Sequence, residues 1–479
     1  MTNLKTYIYK ISVLLTMILF TMGCRKFVEI GSPKNQLVTK TVFENDGQAI
    51  AAMANIYGKF TITNAMGYHI PYYLGSAADE LTNYTNDGAA SQFYQNAPQP
   101  LNASTNGLWD VFYNCIYQAN AVVEGCSEST KLDATVKKQL LAEARFFRAF
   151  CYFYLVNFYG DVPLPLQTDY RVTSQLKRST VDEVYAQIIA DLEYAATELN
   201  SGYVNATAKA TGAERVRPNQ AAAHALLARV YLYRRNWIKA EEQSTIVIND
   251  VANYDMVAIN QPFLKNNREA IWQLMASSTG ANLATIEGTF FILTTKPSTA
   301  LSNSSAISPQ LYAAFNPADL RRSSWIGTYI DKTVTPNVTY YFPNKFKERT
   351  GTSFIEYSTP LRLAEQYLIR AEARNELNNL TDAKADLNKV RARTNLGNTT
   401  AATQTDLRTA IFNERQLELF TEWGHRWFDL RRSGNIGAVM TTVTPAKGGA
   451  TWANYKQWFP IPQKDIEANR NIIQNNGYE

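Results

Sequence analysis

The sequence has few of the residues that metal and cofactor chemistry requires. Its 479 residues include four cysteines and three histidines, and no Cys/His cluster has the spacing of a zinc site. The histidines, His69, His224 and His425, stand far apart along the chain. Neither a phosphate-binding glycine loop nor the G-x-S-x-G turn of serine hydrolases occurs. We therefore predict no cofactor, no metal site and no catalytic triad.

The small number of cysteines also argues against a disulfide framework. Apart from Cys24 near the N-terminus, the chain has only Cys115, Cys126 and Cys151. Three cysteines cannot all pair with one another, so at least one thiol is unpaired. If Cys115 and Cys126 share a helix, they lie about 16 Å apart along its axis, too far for a disulfide. We interpret these three cysteines as buried apolar side chains.

A strong charge of one sign is missing as well. Lys and Arg number 47 and Asp and Glu 42, for a formal net charge of +5. Removal of a leader that holds two lysines would lower the charge to about +3. Because the chain has no basic block and no RNA-binding motif, we predict no nucleic-acid partner.

Long apolar runs are absent after the first 23 residues. Residues 11–20 are almost wholly apolar and follow a basic start, but they are too few for a bilayer-spanning helix of about 20 residues. This layout predicts a signal peptide over residues 1–23, with a short membrane anchor as the alternative. The stretch 21–24, Thr-Met-Gly-Cys, resembles a bacterial lipobox, in which the cysteine is acylated. Two or three acyl chains on Cys24 would hold the protein on a membrane durably.

Apolar residues at helical spacing dominate the rest of the chain. Two segments, 221–248 and 365–390, each carry a pair of alanines twelve residues apart. This repeat resembles the tetratricopeptide helix-turn-helix unit, in which small residues let paired helices approach closely. Residues 254–358 are instead rich in Ser, Thr, Asn and Gly, with short alternating pieces. We predict a mainly α fold with tetratricopeptide-like helix pairs and a loop-rich region that carries short strands.

Four stretches carry a family resemblance. They are residues 359–377, residues 413–434, residues 458–478 and the segment AEARFFRAFCYFYLVNFYGDVPL. Together with the lipobox, they closely resemble the SusD/RagB family of Bacteroidetes outer-membrane lipoproteins over nearly the whole chain. The resemblance implies a SusD-like fold in which an N-terminal helical region, 24–240, packs with a C-terminal region, 241–479, as one body.

The same resemblance implies a function. It predicts a lipid-anchored protein of the cell outer membrane that faces the exterior, captures oligosaccharides and delivers them to a SusC-like TonB-dependent transporter. A binder of peptides or other non-sugar nutrients is one alternative. A surface glycan hydrolase is another.

The hydrolase alternative depends on Glu414, Glu418 and Glu422, which would line one side of a helix. A carboxylate pair could hydrolyse a glycosidic bond if it flanked that bond at about 5–10 Å. Arginines nearby in sequence favour a structural network of carboxylate–guanidinium pairs instead. These are Arg408, Arg415, Arg426, Arg431 and Arg432. We therefore predict that the protein is not an enzyme.

Aromatic residues are the best candidates for ligand contact. The chain has 28 Tyr, 22 Phe and 8 Trp. Flat rings beside polar side chains are typical of binding sites for sugars. Two stretches that we interpret as irregular, 67–96 and 321–330, supply the candidates. These are Tyr68, Tyr72, Tyr73, Tyr84, Tyr94, Trp325 and Tyr329. We expect four other aromatic residues in the core, namely Trp109, Phe147, Trp423 and Trp427.

Overall fold

The structure is a computed structural model that describes residues 39–63, 66–209, 211–275 and 281–478. The predicted signal peptide and the predicted acylation site at Cys24 lie outside these residues. The fold is mainly helical (53%), as the sequence predicts.

The helices differ widely in length, and the longest lie in the N-terminal half. In chain order they are α1 (Thr39–Val42), α2 (Asp46–Gly58), α3 (Met66–Ala77), α4 (Gly88–Tyr94), α5 (Ala103–Glu128), α6 (Ala134–Tyr159), α7 (Tyr170–Thr173), α8 (Val181–Glu198), α9 (Gln220–Tyr233), α10 (Trp237–Asn249), α11 (Ile286–Phe291), α12 (Pro309–Ala314), α13 (Leu320–Ser324), α14 (Leu363–Glu376), α15 (Leu380–Arg391), α16 (Gln404–Glu418), α17 (His425–Arg432), α18 (Ile436–Ala446) and α19 (Gln463–Ala468).

The two longest helices, α5 and α6, begin at side chains that cap them. Asn102 accepts hydrogen bonds from the backbone N–H groups at the start of α5, and Asp133 does the same for α6. Such caps satisfy donors that a helix leaves unpaired at its first turn. Helix α6 ends at Gly160, whose φ of 75° places it in a conformation that favours glycine.

The predicted repeat corresponds to two helix pairs, α9–α10 and α14–α15. Each pair is joined by a three-residue turn whose middle residue, Arg235 or Asn378, has a positive φ of 55° or 63°. The next residue, Asn236 or Asn379, caps the second helix through its side chain. The four repeat alanines are all fully buried, so the paired helices can approach closely. These alanines are Ala228, Ala240, Ala371 and Ala383.

The helices pack in a continuous series. Helix α5 lies on α6, α6 on α8, α8 on α9, and α9 on α10. Helix α10 then packs on α14, which contacts α15 and α16. One hydrophobic core includes residues from Phe43 to Ile472. The packed helices thus form a scaffold that holds the loops and strands connecting them.

The strands are short and pair two by two in antiparallel sheets within the described residues. They are β1 (Leu81–Asn83), β2 (Val162–Pro163), β3 (Arg178–Ser179), β4 (Ala270–Leu274), β5 (Ser305–Ile307), β6 (Ile326–Asp331), β7 (Val338–Pro343) and β8 (Ser358–Arg362). Strands β6 and β7 form a hairpin, whereas β1 pairs with β5, so the chain after β1 lies beside the loop-rich region. This confirms the predicted short strands in that region.

Candidate ligand-binding site

The stretch 67–96 is not irregular. It forms α3, β1 and α4, and three of the candidate tyrosines, Tyr68, Tyr72 and Tyr73, lie on α3 with at most 9% of their surface exposed. The hydroxyl of Tyr72 donates to Asn83 Oδ1 at 3.2 Å. The prediction that these rings contact a ligand is not compatible with their burial, since they pack inside the fold.

Several residues of α3 disfavour a helix, but packing against the rest of the fold stabilises it. Pro71 stands inside α3, where proline removes a backbone donor, and Gly67 and Gly75 lower helix propensity. Packing compensates for both effects. The ring of Tyr68 lies 4.7 Å from Phe290 and 5.0 Å from Phe291 between ring centroids. Aromatic contacts of this kind stabilise a helix that its own sequence does not favour.

Trp325 is also a core residue, because its side chain is fully buried. Its indole N–H donates to the carbonyl of Ile259 at 2.7 Å, and the Lys345 ammonium lies 4.8 Å from its ring centroid. Phe263 and Phe420 pack against the indole at 6.0 and 6.4 Å. The prediction of ligand contact for Trp325 therefore does not fit the structure either.

Two of the candidates, Tyr84 and Tyr329, lie together with a third tyrosine on the surface. We call Tyr84, Tyr329 and Tyr340 the tyrosine patch. All three are half-buried and pack on Leu293, Ala306 and Phe342. The rings of Tyr84 and Tyr340 meet edge to face, with centroids 6.0 Å apart and planes at 81°. Tyr340 lies directly opposite Tyr329 in the β6–β7 hairpin. The patch therefore combines one residue that follows β1 with two from the hairpin.

Local structure holds the patch in place. The backbone N–H of Tyr84 donates to the carbonyl of Ser304 at 2.7 Å, which extends the β1–β5 pairing by one bond. In the hairpin, side chains alternate between faces, so Tyr340 and Phe342 point to the same side. Gly327 faces Phe342, and a Cβ there would lie 2.2 Å from the Phe342 ring. A side chain at position 327 would therefore displace the Phe342 ring that supports the patch.

Tyr94 lies next to the patch. Its phenol contributes to raising the pKa of Tyr84, after the larger effects of burial and Tyr340. Its own pKa is raised by burial. Lys447 lies 5.1 Å from the Tyr94 ring centroid and donates to the carbonyls of Ser76, Ala77 and Ala78 at the end of α3. Because these phenols stay protonated at neutral pH, they can donate hydrogen bonds to a ligand.

Sequence reasoning missed Tyr340 and a second group of rings. On the reverse face of the hairpin, Tyr341 stacks on Tyr312 with centroids 3.6 Å apart, and the Arg322 guanidinium lies 4.4 Å from the Tyr312 ring. The signal was present in the strand sequence VTYYFP. Adjacent tyrosines in a strand point to opposite faces, and the register of the hairpin places Tyr340 opposite Tyr329.

Two family models match the chain. One, described as the SusD family, matches residues 277–478. The other, described as starch-binding and associating with the outer membrane, matches residues 26–232. Together they span nearly the whole chain. The chain belongs to the SusD family.

Known SusD-like proteins agree with this assignment. A SusD-like protein of Formosa agariphila is 26% identical to this chain, over 98% of this chain and 99% of the relative. A crystal structure of a SusD superfamily protein from Bacteroides vulgatus is 20% identical, with a TM-score of 0.77 over 91% of this chain and 99% of that one. A laminarin-binding SusD-like protein is 23% identical, with a TM-score of 0.74 over 91% and 100% of the two chains. The predicted SusD-like fold is confirmed.

Members of the SusD family are non-catalytic glycan-binding proteins, which agrees with the prediction that this one is not an enzyme. The glutamates that suggested a hydrolase are ion-paired in the core. Arg321 lies 2.7 Å from Glu414, and Arg362 lies 2.6 Å from Glu418 and 2.7 Å from Glu422. Helix α16 ends at Glu418, so Glu422 is not on the same helix as the other two.

The structural interpretation of these glutamates is therefore correct, but the predicted partners are wrong. The five arginines named from sequence proximity do not neutralise the glutamates. Arg415, for example, pairs with Asp429 at 2.8 Å, and Arg426 pairs with Asp79 at 2.6 Å. The cations that do pair with them come from distant segments. They are Arg321, Lys345, Arg362, Arg391 and Arg393.

The electrostatics of this SusD family protein do not favour acid–base chemistry at these residues. Burial raises the pKa of Glu418, but attraction to Arg393, Arg362 and Arg321 outweighs burial and holds that pKa well below its usual range. Burial also lowers the pKa of His425 well below its ordinary value, with nearby cations adding to the effect. Glu418 is thus a permanent anion and His425 a neutral side chain.

The other sequence expectations concern thiols, metals and membrane spans. Cys115, Cys126 and Cys151 are unpaired and buried, as predicted. Within residues 39–63, 66–209, 211–275 and 281–478, no group of His, Cys, Asp and Glu could hold a metal ion. In the same ranges, no helix has the length and apolar character that crossing a membrane would require.

Proposed function

We propose that this SusD family protein binds an oligosaccharide on the tyrosine patch and delivers it to a SusC-like TonB-dependent transporter. The observation that carries the proposal is the assembly of Tyr84, Tyr329 and Tyr340 on one surface from two separate segments. These residues are half-buried, so their positions are fixed while part of each ring stays accessible.

The chemistry of the patch suits a sugar. A pyranose ring has C–H-rich faces that pack on aromatic rings, and tyrosines provide such contact area at low entropic cost. Lys296 pairs with Asp331 at 3.5 Å, and Asp331 lies two residues after Tyr329 on the same face of β6. Asp331 itself is buried, but the Lys296 side chain is 56% exposed, so its ammonium can donate hydrogen bonds to hydroxyls at the edge of a bound sugar. A shallow surface of this kind favours modest affinity, which allows release to the transporter.

The proposed location is the outer membrane, with Cys24 acylated and the folded part facing the exterior. The lipobox-like stretch 21–24 supports the anchor, and the description of one matching family model supports association with the outer membrane. Residues 25–38 provide a connection between the lipid and α1. The transporter partner rests on membership of the family.

The test measures binding of the purified protein to a panel of glycans by native affinity electrophoresis. The panel includes starch, laminarin, xylan and mannan. We expect retention by at least one glycan and a loss of affinity of about tenfold in Tyr340→Ala, because a stacking surface is removed. Tyr340→Phe is the matched control and should keep most of the affinity, since it keeps the ring.

Two results would contradict the proposal. The first is saturable binding of peptides with no retention by any glycan, which favours the non-sugar alternative. The second is glycan retention that is the same in wild type, Tyr340→Ala and Tyr84→Ala, which excludes the tyrosine patch as the site.

A further inference from the structure

A second surface of the molecule has the features of a saccharide site and shares no residue with the tyrosine patch. It is a cleft of about 520 Å³ between α5, the segment after α6, and α19 with the residues that follow it. We call it the α5 cleft. Its lining includes Tyr113, Tyr117, Gln167 and Asp465, with Trp109 at its base.

Three aromatic residues of α5 line the cleft, of which Trp109 is buried beneath it and Tyr117 is exposed. Trp109, Tyr113 and Tyr117 stand at i, i+4 and i+8, so they share one face of the helix at steps of about 6 Å. The Trp109 and Tyr113 rings are in contact, with centroids 4.7 Å apart. Tyr117 is 55% exposed, and its side chain makes no hydrogen bond to any described residue. The exposed ring of Tyr117 therefore lies one helical turn beyond the packed rings of Trp109 and Tyr113.

The cleft is pre-formed by hydrogen bonds along its wall. The hydroxyl of Tyr113 donates to the carbonyl of Pro163 at 2.7 Å, and Asn120 Nδ2 donates to the carbonyl of Pro165 at 3.0 Å. On the other side, Asn469 Nδ2 donates to the carbonyl of Leu176 at 2.8 Å. A wall that is already ordered lowers the entropic cost of binding.

Two side chains that line the cleft, Asp465 and Gln167, carry polar atoms without a partner among the described residues. Asp465 Oδ2 is buried and has no hydrogen-bond partner among the described residues. A buried acceptor without a partner costs free energy, which a ligand hydroxyl would recover. Gln167 is exposed, and its amide likewise makes no hydrogen bond within the part of the chain that the structure describes. The cleft thus offers an acceptor and an amide beside aromatic side chains.

The charges of the cleft favour a neutral ligand. Asp110 and Asp465 both line it, so a phosphate or sulfate would be repelled. Lys464, which is bonded to Asp110, opposes the binding of a cation. Aromatic rings, amides and a carboxylate that accepts hydrogen bonds from hydroxyls are the combination that binds uncharged sugars.

We propose that the α5 cleft is a second saccharide-binding site, which takes a linear, uncharged oligosaccharide along α5 with one sugar ring on Tyr117. It is separate from the tyrosine patch, so it does not depend on the patch being correct. Two sites on one chain would let a long glycan bind with higher apparent affinity than either site gives alone.

The experiment compares four proteins on the same glycan panel: wild type, Tyr117→Ala, Tyr340→Ala and the double variant. Affinity electrophoresis measures retention, and thermal melting checks that each variant is folded. Tyr117 is exposed, so its substitution should leave the melting temperature unchanged. We expect Tyr117→Ala to weaken binding of a retained polysaccharide about fivefold, and Tyr117→Phe to leave it unchanged. Of the four proteins, the double variant should have the lowest affinity for the polysaccharide.

The outcomes separate the two sites. Retention that Tyr340→Ala weakens but Tyr117→Ala does not change overturns the α5 cleft and leaves the tyrosine patch. Retention that Tyr117→Ala weakens but Tyr340→Ala does not change supports the α5 cleft as a binding site and contradicts the tyrosine patch as one. No retention of the wild type by any glycan overturns both proposals. Peptide binding that depends on Tyr117, without glycan binding, also overturns the saccharide assignment of the cleft.

Discussion

The rings of Tyr84 and Tyr340 meet edge to face at 6.0 Å, although Tyr84 follows β1 near the start of the fold and Tyr340 lies on β7. This contact depends on the pairing of β1 with β5, which holds Tyr84 beside Ser304. A surface made in this way remains in place only while the surrounding scaffold is intact.

Replacement of Trp325 should affect stability and not ligand contact. We expect Trp325→Ala to lower the free energy of unfolding by about 3–5 kcal/mol, because it leaves a cavity and removes the hydrogen bond to Ile259. Urea denaturation measures this change. The control is Ile330→Ala on the same hairpin, where the side chain is 46% exposed and the expected loss is below about 0.5 kcal/mol. Equal losses in both variants would contradict the burial of Trp325.

The buried ion pairs should be sensitive to loss of a single cation. Arg362 pairs with Glu269, Glu418 and Glu422 in the core. We expect Arg362→Met to cost about 3–5 kcal/mol, because it leaves buried carboxylates without a partner. The matched control is Arg408→Met, since Arg408 is half exposed and pairs with Glu376 at the surface, where such pairs contribute about 0–1 kcal/mol. A melting temperature that falls equally in both variants would be inconsistent with the network.

Glu80 should make the protein less stable as the pH rises. Burial, with repulsion from Asp79, raises the pKa of Glu80 from 4.5 to about 8. Between these values, the folded carboxyl keeps a proton that the unfolded chain has released, so stability falls as pH rises through this window. Glu80→Gln should remove this dependence and be more stable than wild type at pH 9 by on the order of 2 kcal/mol.

Denaturation at pH 5 and pH 9 tests the role of Glu80. At pH 5 the wild-type carboxyl is protonated in the folded state, so the two proteins should differ little there. A difference of the same size at both pH values would show that Glu80 does not titrate as described.

The anchor is tested at Cys24. We expect wild type expressed with its leader to partition into detergent and Cys24→Ala to remain in the aqueous phase, because acyl chains provide the membrane affinity. Mass spectrometry of the mature N-terminus provides the second readout. An unmodified Cys24 in the wild-type protein, or continued detergent partition of the variant, would contradict acylation.

Periodic features of the sequence predicted the scaffold well. The alanine spacing in the two repeats identified both helix pairs because these contacts are local, within one helix-turn-helix unit. The family resemblance predicted the SusD-like fold. Tyr84 and Tyr329 were predicted as site residues because they are aromatic residues in stretches that we interpreted as irregular, and the structure brings them together at one surface.

The errors share one physical cause, which is dependence on contacts between distant parts of the chain. Trp325 is buried by Phe263, Lys345 and Phe420, none of which lies near it in sequence. The cations around Glu418 likewise come from positions 321, 362 and 393. Pairings of this kind leave no periodic signal in a single sequence.

We propose that an oligosaccharide binds across the tyrosine patch. The most direct measurement is a crystal structure of the protein with an oligosaccharide of the glycan that retains it. We predict electron density for sugar rings in contact with Tyr84, Tyr329 and Tyr340. Density for the sugar only at other positions, with these three rings free of ligand, would contradict the account.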